Sequence, residues 1–264
     1  MQPLDIINQL AQRSETFAFA DFATIHGGPS PAAANALRGL VRKGIVDRVS
    51  RGAYVIRPIG RLGTGAATED IALVVGARFA DTPHRIAYST ALDIHGLLTR
   101  PLNDIQLATV GLVEMIKLGG RPFHSIVESA ATIHIGAIDA GYNARISDIE
   151  RSMIDAARRI DLAGGVSVLG DALSRLGPGN YDPARVVDYA SKLRAPGPLR
   201  RLGSIARATG HNALADAAAT ARRHRHRIGV DPRVSTEDGW VDPEFKVIWA
   251  QEQLDELGLE RAPG

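Results

Sequence analysis

The sequence contains no cysteine, and this absence removes several classes of protein at once. Disulfide frameworks, zinc sites built from thiolates and catalysis by a cysteine nucleophile are all excluded. No apolar run approaches the roughly 20 residues that a membrane-spanning helix needs. The first residues, MQPLDIINQLAQRSE, also lack the basic region of a signal peptide. We therefore expect a soluble, cytoplasmic protein that is stabilised by packing.

Motifs for nucleotides and metals are also missing. The glycine-rich stretches GRLGTG and LAGGVSVLG lack the lysine and the spacing of a phosphate-binding loop. His224 and His226 are two residues apart, so a helix would direct their rings to different sides, and the neighbouring arginines would repel a cation. We expect no cofactor and no bound metal.

Charge is abundant but unevenly distributed. The 31 basic and 29 acidic residues leave a formal net charge of only +2, so the sum says little about partners. Residues 30–57 carry six bases and a single acid, Asp47, whereas residues 194–233 carry nine arginines and two aspartates. Residues 234–264 carry eight acids and two bases. The chain therefore has two basic zones and an acidic C-terminal segment.

The first 57 residues show a helical pattern followed by a strand pattern. Leu4, Ile7 and Leu10 recur at helical spacing, and farther along Ser30 is placed to cap a helix whose first turn contains Pro31. Residues of high β propensity on both sides of Gly52 indicate a hairpin. The predicted elements are helices at residues 3–13, 19–25 and 30–44, a turn at 14–16 and a hairpin at 45–57.

Three helices followed by a basic hairpin are typical of a winged helix-turn-helix, whose third helix enters the major groove of DNA. On the predicted third helix, Ala33, Leu37 and Leu40 share the apolar face, and polar and basic residues share the opposite face. Arginines of the hairpin would grip a phosphate or the minor groove. The predicted DNA contacts are Ser30, Pro31, Asn35, Arg38, Arg42, Lys43, Arg48 and Arg51.

Residues 58–67 contain three glycines and a proline without periodicity, which predicts a linker between a first domain at 1–57 and a second, mixed α/β domain at 68–264. The predicted fold class is therefore α+β.

Within the second domain, Ser147 and Glu150 have the spacing of a capping box that begins a helix. The elements predicted for the second domain are helices at 68–79, 89–95, 147–160, 164–175, 183–193, 198–208 and 211–225, strands at 104–110, 123–129 and 131–138, a strand pair within 238–249 and a terminal helix at 252–258.

Several segments of the sequence recur together in one known family. FAFADFATIHGG is followed by LRGLVRKGIVDRVSRGAYVI, in which a leucine-rich helix, a glycine and an arginine-rich RGxY wing follow one another. Farther along stand RIAYSTALDIHGLL, ISDIERSMIDAARR and PLRRLGSIARATG. In the order and spacing of these segments the sequence resembles the AbiEi family of antitoxin regulators.

This resemblance implies a transcriptional autorepressor of a type IV toxin-antitoxin operon, of the abortive-infection type, and not an enzyme. The N-terminal domain would bind double-stranded DNA at inverted repeats in the promoter, and the C-terminal domain would carry the antitoxicity. The functional partner would be a nucleotidyltransferase toxin that is often counteracted without a stable complex.

Two other classes of function stay open at this point. Asp104, Glu114 and Lys117 could serve a metal-dependent nuclease that the N-terminal domain targets to DNA, although Glu114 and Lys117 are three residues apart where that type of site needs two. His95 closes a predicted helix, where a capping or packing role is expected. The other open hypothesis is a protein-interaction scaffold without affinity for DNA.

The basic zone near the C-terminus predicts a second surface for a nucleic acid, a phosphate or an acidic partner, which could be the acidic segment of this same chain. The residues of this second basic patch are Arg200, Arg201, Arg207, Arg222, Arg223, Arg225 and Arg227.

Overall fold

The computed structural model describes residues 2–57, 70–100, 102–114, 117–221, 226–235, 237 and 239–259. Over this part of the chain the fold is mixed α and β, with twelve helices and three sheets, and the predicted α+β class is confirmed at that level. No helix among these residues is both long and apolar enough to cross a membrane.

The chain divides into two compact units. Unit 1 comprises residues 1–86, 103–133 and 138–146, and unit 2 comprises residues 87–102, 134–137 and 147–264. This division differs from the predicted one, because residues 1–57 belong to the same unit as most of the strands that follow them. The predicted linker at 58–67 lies outside the described residues.

Unit 1 begins with six elements that enclose a small apolar core. They are α1 (Pro3–Ala11), β1 (Thr16–Ala18), α2 (Phe19–His26), α3 (Ser30–Arg42), β2 (Val46–Ser50) and β3 (Ala53–Ile56). The three predicted helices and the hairpin are thus confirmed. The turn predicted at 14–16 ends in a strand that was not foreseen, because β1 is only three residues long and gains its hydrogen bonds from β3, with Phe17 opposite Tyr54.

The core of this first part follows the helical pattern of the sequence. Ile6 and Leu10 of α1, Phe22 of α2, and Leu37 and Leu40 of α3 are all buried in one cluster. The apolar stripes of the three helices therefore face one another, and the polar faces remain outside.

The rest of unit 1 is a six-stranded mixed sheet with one helix. The elements are α4 (Ile71–Phe79), β4 (His84–Ile86), β5 (Ile105–Thr109), β6 (Lys117–Leu118), β7 (Arg121–Val127), β8 (Ala137–Gly141) and β9 (Ala144–Ser147), in the sheet order β6-β7-β5-β4-β9-β8. The strands predicted at 104–110 and 123–129 are confirmed as β5 and β7. The strand predicted at 131–138 is wrong, because residues 130–136 form turns and β8 starts only at Ala137.

Unit 2 is mainly helical. Its elements are α5 (Tyr88–Ile94), α6 (Ile149–Arg158), α7 (Ile160–Ala163), α8 (Val166–Leu176), α9 (Pro183–Lys192), α10 (Pro196–Ala208), α11 (Asn212–Thr220), β10 (Ile228–Gly229), β11 (Trp240–Val241), β12 (Val247–Trp249) and α12 (Gln251–Glu256). The three strands form a small sheet in the order β10-β12-β11. The helices predicted for this region are found, and α7 is an additional one.

The capping box predicted for α6 is wrong in its residues. Asp148, and not Ser147, precedes the helix, and its carboxylate accepts a hydrogen bond from the N–H of Arg151 at 2.8 Å. Ser147 is instead the last residue of β9. Glu150 accepts from the N–H of Asp182 at 2.9 Å, so it joins α6 to the start of α9.

Burial disfavours the protonated form of two histidines, His84 and His211. The Nδ1 of His84 donates to the carbonyl of Thr82 at 2.8 Å, and its Nε2 accepts from the N–H of Arg145 at 3.2 Å, an acceptor role that a protonated ring cannot perform. In unit 2, Nδ1 of His211 lies 2.9 Å from the hydroxyl of Tyr181. Burial lowers the pKa of both histidines below the usual value of 6.5.

We expect the protein to lose stability as the pH falls from 7.5 to 5.5. The unfolded chain takes up a proton at each histidine near pH 6.5, whereas folded His84 and His211 resist protonation, so acid favours the unfolded state. The loss is at most about 1.4 kcal/mol per pH unit for each histidine. Urea unfolding followed by circular dichroism measures it. His84→Gln combined with His211→Gln should flatten the dependence of stability on pH, and an unchanged slope in this double variant would contradict the account.

Candidate nucleic-acid interface

The interface is built on α3, which begins one residue earlier than the sequence pattern indicates. Ser30 was predicted as the N-cap, but it is the first helical residue, and the cap is Pro29. The carbonyl of Pro29 accepts from the N–H groups of Ala32 and Ala33 at 2.9 and 3.2 Å, so it already closes the first turn. No side chain caps the helix, and both Ser30 and Pro31 are exposed.

The outer face of α3 carries the predicted polar and basic residues. Asn35, Arg38 and Arg42 are exposed, while Ala33, Leu37 and Leu40 on the other face are buried. Arg38 donates through Nη2 to the side-chain oxygen of Asn35 at 2.5 Å and through Nε to the carbonyl of Ala34 at 3.3 Å. Asn35 and Arg38 therefore form a hydrogen-bonded pair on the helix surface, with Arg42 one turn further on.

The end of α3 leads directly into the hairpin. Lys43 is the exposed C-cap residue, and Gly44 adopts a positive φ of 64°. The N–H groups of Gly44 and Ile45 bond to the carbonyls of Val41 and Leu40 at 3.0 and 3.1 Å, which closes the helix and turns the chain into β2.

The hairpin presents two further cations. Arg48 on β2 is exposed, and its Nε donates to the carbonyl of Ser50 at 3.3 Å, across a register shift between these two residues. Arg51 in the turn is also exposed. Gly52 supplies the positive φ of 82° that the turn requires.

The single acid of residues 30–57, Asp47, is neutralised by the last of the six bases in that segment, Arg57. Arg57 is buried and donates to both carboxylate oxygens of Asp47 at 2.9 and 2.6 Å. The charges of Asp47 and Arg57 therefore cancel, and the remaining charge of +5 comes from five exposed side chains. These are Arg38, Arg42, Lys43, Arg48 and Arg51. Within the described residues, none of the five has an acidic partner.

Helix α3 and the hairpin together border an open hollow of about 520 Å³. Its lining is formed by Asn35, Arg38, Val41, Arg42, Arg48 and Tyr54. The structure thus brings four of the eight predicted contact residues around one concavity. Lys43, Arg51, Ser30 and Pro31 do not line it, although all four are exposed. Tyr54 was not predicted, but it pairs with Arg48 across the hairpin, and the hairpin register could have revealed it.

Comparison with known proteins gives a fold and no function. No family model matches the chain, and no curated protein matches it. Among solved structures, the chain resembles the crystal structure of the RV2827C protein from Mycobacterium tuberculosis, with a TM-score of 0.66 over 96% of this chain and 91% of that chain. The two sequences are 17% identical, so the similarity concerns the fold alone.

The residues considered for a nuclease do not form a recognisable metal site. Asp104 precedes β5 and lies 3.7 Å from Nε2 of His124, while Gln106 donates to it at 3.1 Å. Glu114 is exposed in the segment after β5, and Lys117 is exposed at the start of β6. Across the described part of the chain, no group of three or more His, Cys, Asp or Glu side chains is arranged to hold a metal ion.

His95 has the capping or packing role that its position indicates. It is the C-cap residue of α5, and its Nε2 lies 2.7 Å from the carbonyl oxygen of Ser147. The side chain is half-buried and ties α5 to Ser147, which precedes the N-cap of α6 within unit 2.

Arg200 is not part of a surface patch, contrary to the sequence prediction. It is buried and donates to the carbonyls of Phe245, His226 and Lys246 at 2.8, 2.7 and 2.9 Å. Its neighbour Arg201 is half-buried and donates to the carbonyl of Gly229 at 2.9 Å. Burial lowers the pKa of both guanidinium groups. These arginines anchor α10 to the C-terminal sheet because they supply donors for backbone carbonyls there.

Arg207 is engaged by acids of unit 2. Its guanidinium donates to Glu244 at 2.9 and 3.0 Å and to Asp216 at 2.6 Å, and these hydrogen bonds raise its pKa. Glu244 belongs to the acidic C-terminal segment, so here the acidic partner is the chain itself. Of the other predicted patch residues, Arg227 is exposed, whereas Arg222, Arg223 and Arg225 lie outside the described residues.

Proposed function

We propose that residues 2–57 form a winged helix-turn-helix that binds double-stranded DNA through α3 and the β2–β3 hairpin. The observation that carries this proposal is the set of five exposed cations, without acidic partners among the described residues, on and beside one hollow. Cations that neutralise DNA phosphates release condensed counterions, and this release supplies much of the affinity of such proteins.

The order and size of the elements support the same proposal. A helix, a short strand, two helices and a hairpin follow one another, and β1 completes a three-stranded sheet with β3 and β2. Helix α3 has 13 residues, which gives a length of about 20 Å. The major groove is about 12 Å wide and admits one α-helix. Asn35 and Arg38 would then face base edges or phosphates from the middle of the helix.

The resemblance to the AbiEi family supports a more specific proposal. The protein would repress its own operon by binding inverted repeats upstream, and it would counteract a nucleotidyltransferase toxin encoded by the same operon. Residues 68–264 would carry the antitoxic activity, so the protein would act by binding and not by catalysis.

The DNA-binding proposal is tested by fluorescence anisotropy with the full-length protein and its own upstream DNA. If all five cations contact phosphates, the logarithm of the association constant should fall with the logarithm of the salt concentration with a slope near −4.5, at about 0.9 per contact. A scrambled duplex of equal length should bind more weakly. A slope near zero, or equal affinity for the scrambled duplex and the upstream DNA, would exclude a specific DNA-binding regulator.

The antitoxin proposal needs a separate experiment. The nucleotidyltransferase gene of the same operon is expressed from an inducible promoter, with and without the full-length protein supplied from a constitutive promoter. Restored growth supports antitoxicity, and continued growth arrest at equal expression contradicts it. An incubation with plasmid DNA and Mg²⁺ or Mn²⁺ provides the control for nuclease activity.

A further inference from the structure

The β6–β7 hairpin lies directly against the outer edge of the β2–β3 hairpin. In the sheet order β1-β3-β2, β2 is the edge strand. The N–H of Gly119, in the turn between β6 and β7, donates to the carbonyl of Val49 in β2 at 3.0 Å. The turn therefore occupies a hydrogen-bonding position at the edge of the strand that carries Arg48.

The position of this turn is fixed by close packing. Gly119 and Gly120 both have positive φ values, 58° and 84°, which favour glycine. A Cβ atom added at Gly119 would lie 2.9 Å from Cγ1 of Val74 in α4, closer than side chains approach one another. The turn thus bonds to β2 and packs closely against α4.

This geometry leaves Lys117 exposed beside the proposed DNA-binding surface. Leu118 is fully buried and Lys117 is exposed, as expected for successive strand residues that point to opposite faces. Lys117 precedes Gly119 by two residues, so their Cα atoms are at most about 7 Å apart. Gly119 in turn bonds to Val49, whose neighbour is Arg48. Lys117 and Arg48 are therefore close along the bonded backbone, and both side chains are exposed.

The charge of residues 117–127 also suits DNA as a partner. Residues 117–127 contain a lysine, an arginine and a histidine and no acid. Arg121 is half-buried and donates to the carbonyl of Asn103 at 3.4 Å, so its role is at least partly structural. Lys117 has no acidic partner within the described residues.

We propose that Lys117 is a phosphate contact that extends the DNA-binding surface beyond the β2–β3 hairpin, onto DNA that flanks the sequence read by α3. This inference rests on the proposed DNA binding of residues 2–57. DNA carries one negative charge for about every 1.7 Å of its axis, so a cation held beside a bound hairpin meets phosphates irrespective of the base sequence. Lys117 would thus contribute affinity and salt dependence, but no specificity.

The test compares full-length wild type, Lys117→Ala and Lys117→Arg by anisotropy at salt concentrations between 50 and 200 mM. Removing one phosphate contact should lower the magnitude of the salt slope by about 0.9, so over this range the wild type loses about 3.5-fold more affinity than Lys117→Ala. Lys117→Arg should keep the wild-type slope. Lys192→Ala is the matched control, because Lys192 is exposed in unit 2 and its loss changes the net charge equally.

The outcomes separate this inference from the proposed function. If the wild type binds DNA and Lys117→Ala keeps its slope, or if Lys192→Ala lowers the slope equally, the assignment of Lys117 is overturned while DNA binding stands. If the wild type shows no affinity for DNA at 50 mM salt, both are overturned. A lower slope in Lys117→Ala alone, equal on upstream and scrambled DNA, supports the contact. Circular dichroism verifies that the variants are folded.

Discussion

Replacing Arg38 and Arg42 by alanine should weaken binding of the full-length protein to its upstream DNA by at least 30-fold and leave its melting temperature nearly unchanged. Each arginine that reads a base contributes about 1 to 3 kcal/mol, so a pair of such contacts should contribute about 2 kcal/mol or more. Both side chains are exposed, and neither makes an ion pair within the described residues, so the fold does not depend on them.

The matched control is Arg13→Ala combined with Arg175→Ala. These two arginines are exposed and lie outside α3 and the hairpin, and their removal changes the net charge by the same amount. If both double variants lose affinity equally, binding reflects total charge and not the surface of α3. If Arg38→Ala with Arg42→Ala binds upstream DNA as tightly as the wild type, the assignment of α3 as the recognition helix is wrong.

Single variants distinguish base recognition from phosphate contact. A side chain that reads a base should, when removed, weaken upstream binding more than binding to scrambled DNA, whereas a phosphate contact should weaken both equally. Asn35 and Arg38 are joined by a hydrogen bond, so their effects should not be additive. A double-mutant cycle on this pair measures their coupling.

The helices were predictable because each buries one stripe against a continuous core. The spacing of Leu37 and Leu40 fixed both the existence of α3 and the side that faces outward, and Gly44 marked its end. The boundaries were less accurate, since the carbonyl of Pro29 closes the first turn without any side-chain signal. Strand β1 escaped prediction because three residues are too few for a pattern, and its pairing with β3 depends on residues far along the chain.

The exposed residues of the candidate site could be predicted from the sequence, but the contacts that these segments make with distant parts of the chain could not. The exposed cations of α3 follow from helical spacing alone. The pairing of Asp47 with Arg57 and the contact of Gly119 with Val49 join residues that are distant in sequence, and composition cannot reveal them. The same reason explains why Arg200 was wrongly predicted as a surface residue. Its guanidinium donates to carbonyl groups that lie more than 25 residues farther along the chain.

Arg151 is likewise a charged residue that is buried inside unit 2. Its side chain is buried, with Nε donating to Asp155 at 2.8 Å and Nη1 donating to the carbonyl of Ile135 at 2.9 Å. A Cβ atom added at Gly136 would lie 2.5 Å from Cβ of Arg151, so the turn before β8 packs tightly against this side chain. Arg151 therefore links α6 to that turn and also balances the buried charge of Asp155.

We expect Arg151→Met to destabilise unit 2 by about 3 to 5 kcal/mol, because it removes the guanidinium that balances the buried negative charge of Asp155. Urea unfolding followed by tryptophan fluorescence measures this effect in unit 2, since the two tryptophans of the chain, Trp240 and Trp249, both lie there. Lys192→Met is the control. Its ammonium group is exposed and lies 2.6 Å from the exposed carboxylate of Asp188, and exposed pairs contribute about 1 kcal/mol or less.

The double variant Arg151→Met with Asp155→Leu separates the loss of charge balance from the loss of packing. Removing both partners of a buried pair is often neutral when apolar groups fill the volume, so the double variant should regain much of the stability that Arg151→Met loses. If the double variant is as unstable as the single one, the bond to Ile135 and the packing on Gly136 dominate. If Arg151→Met unfolds at the same urea concentration as the wild type, the buried pair does not stabilise unit 2 at all.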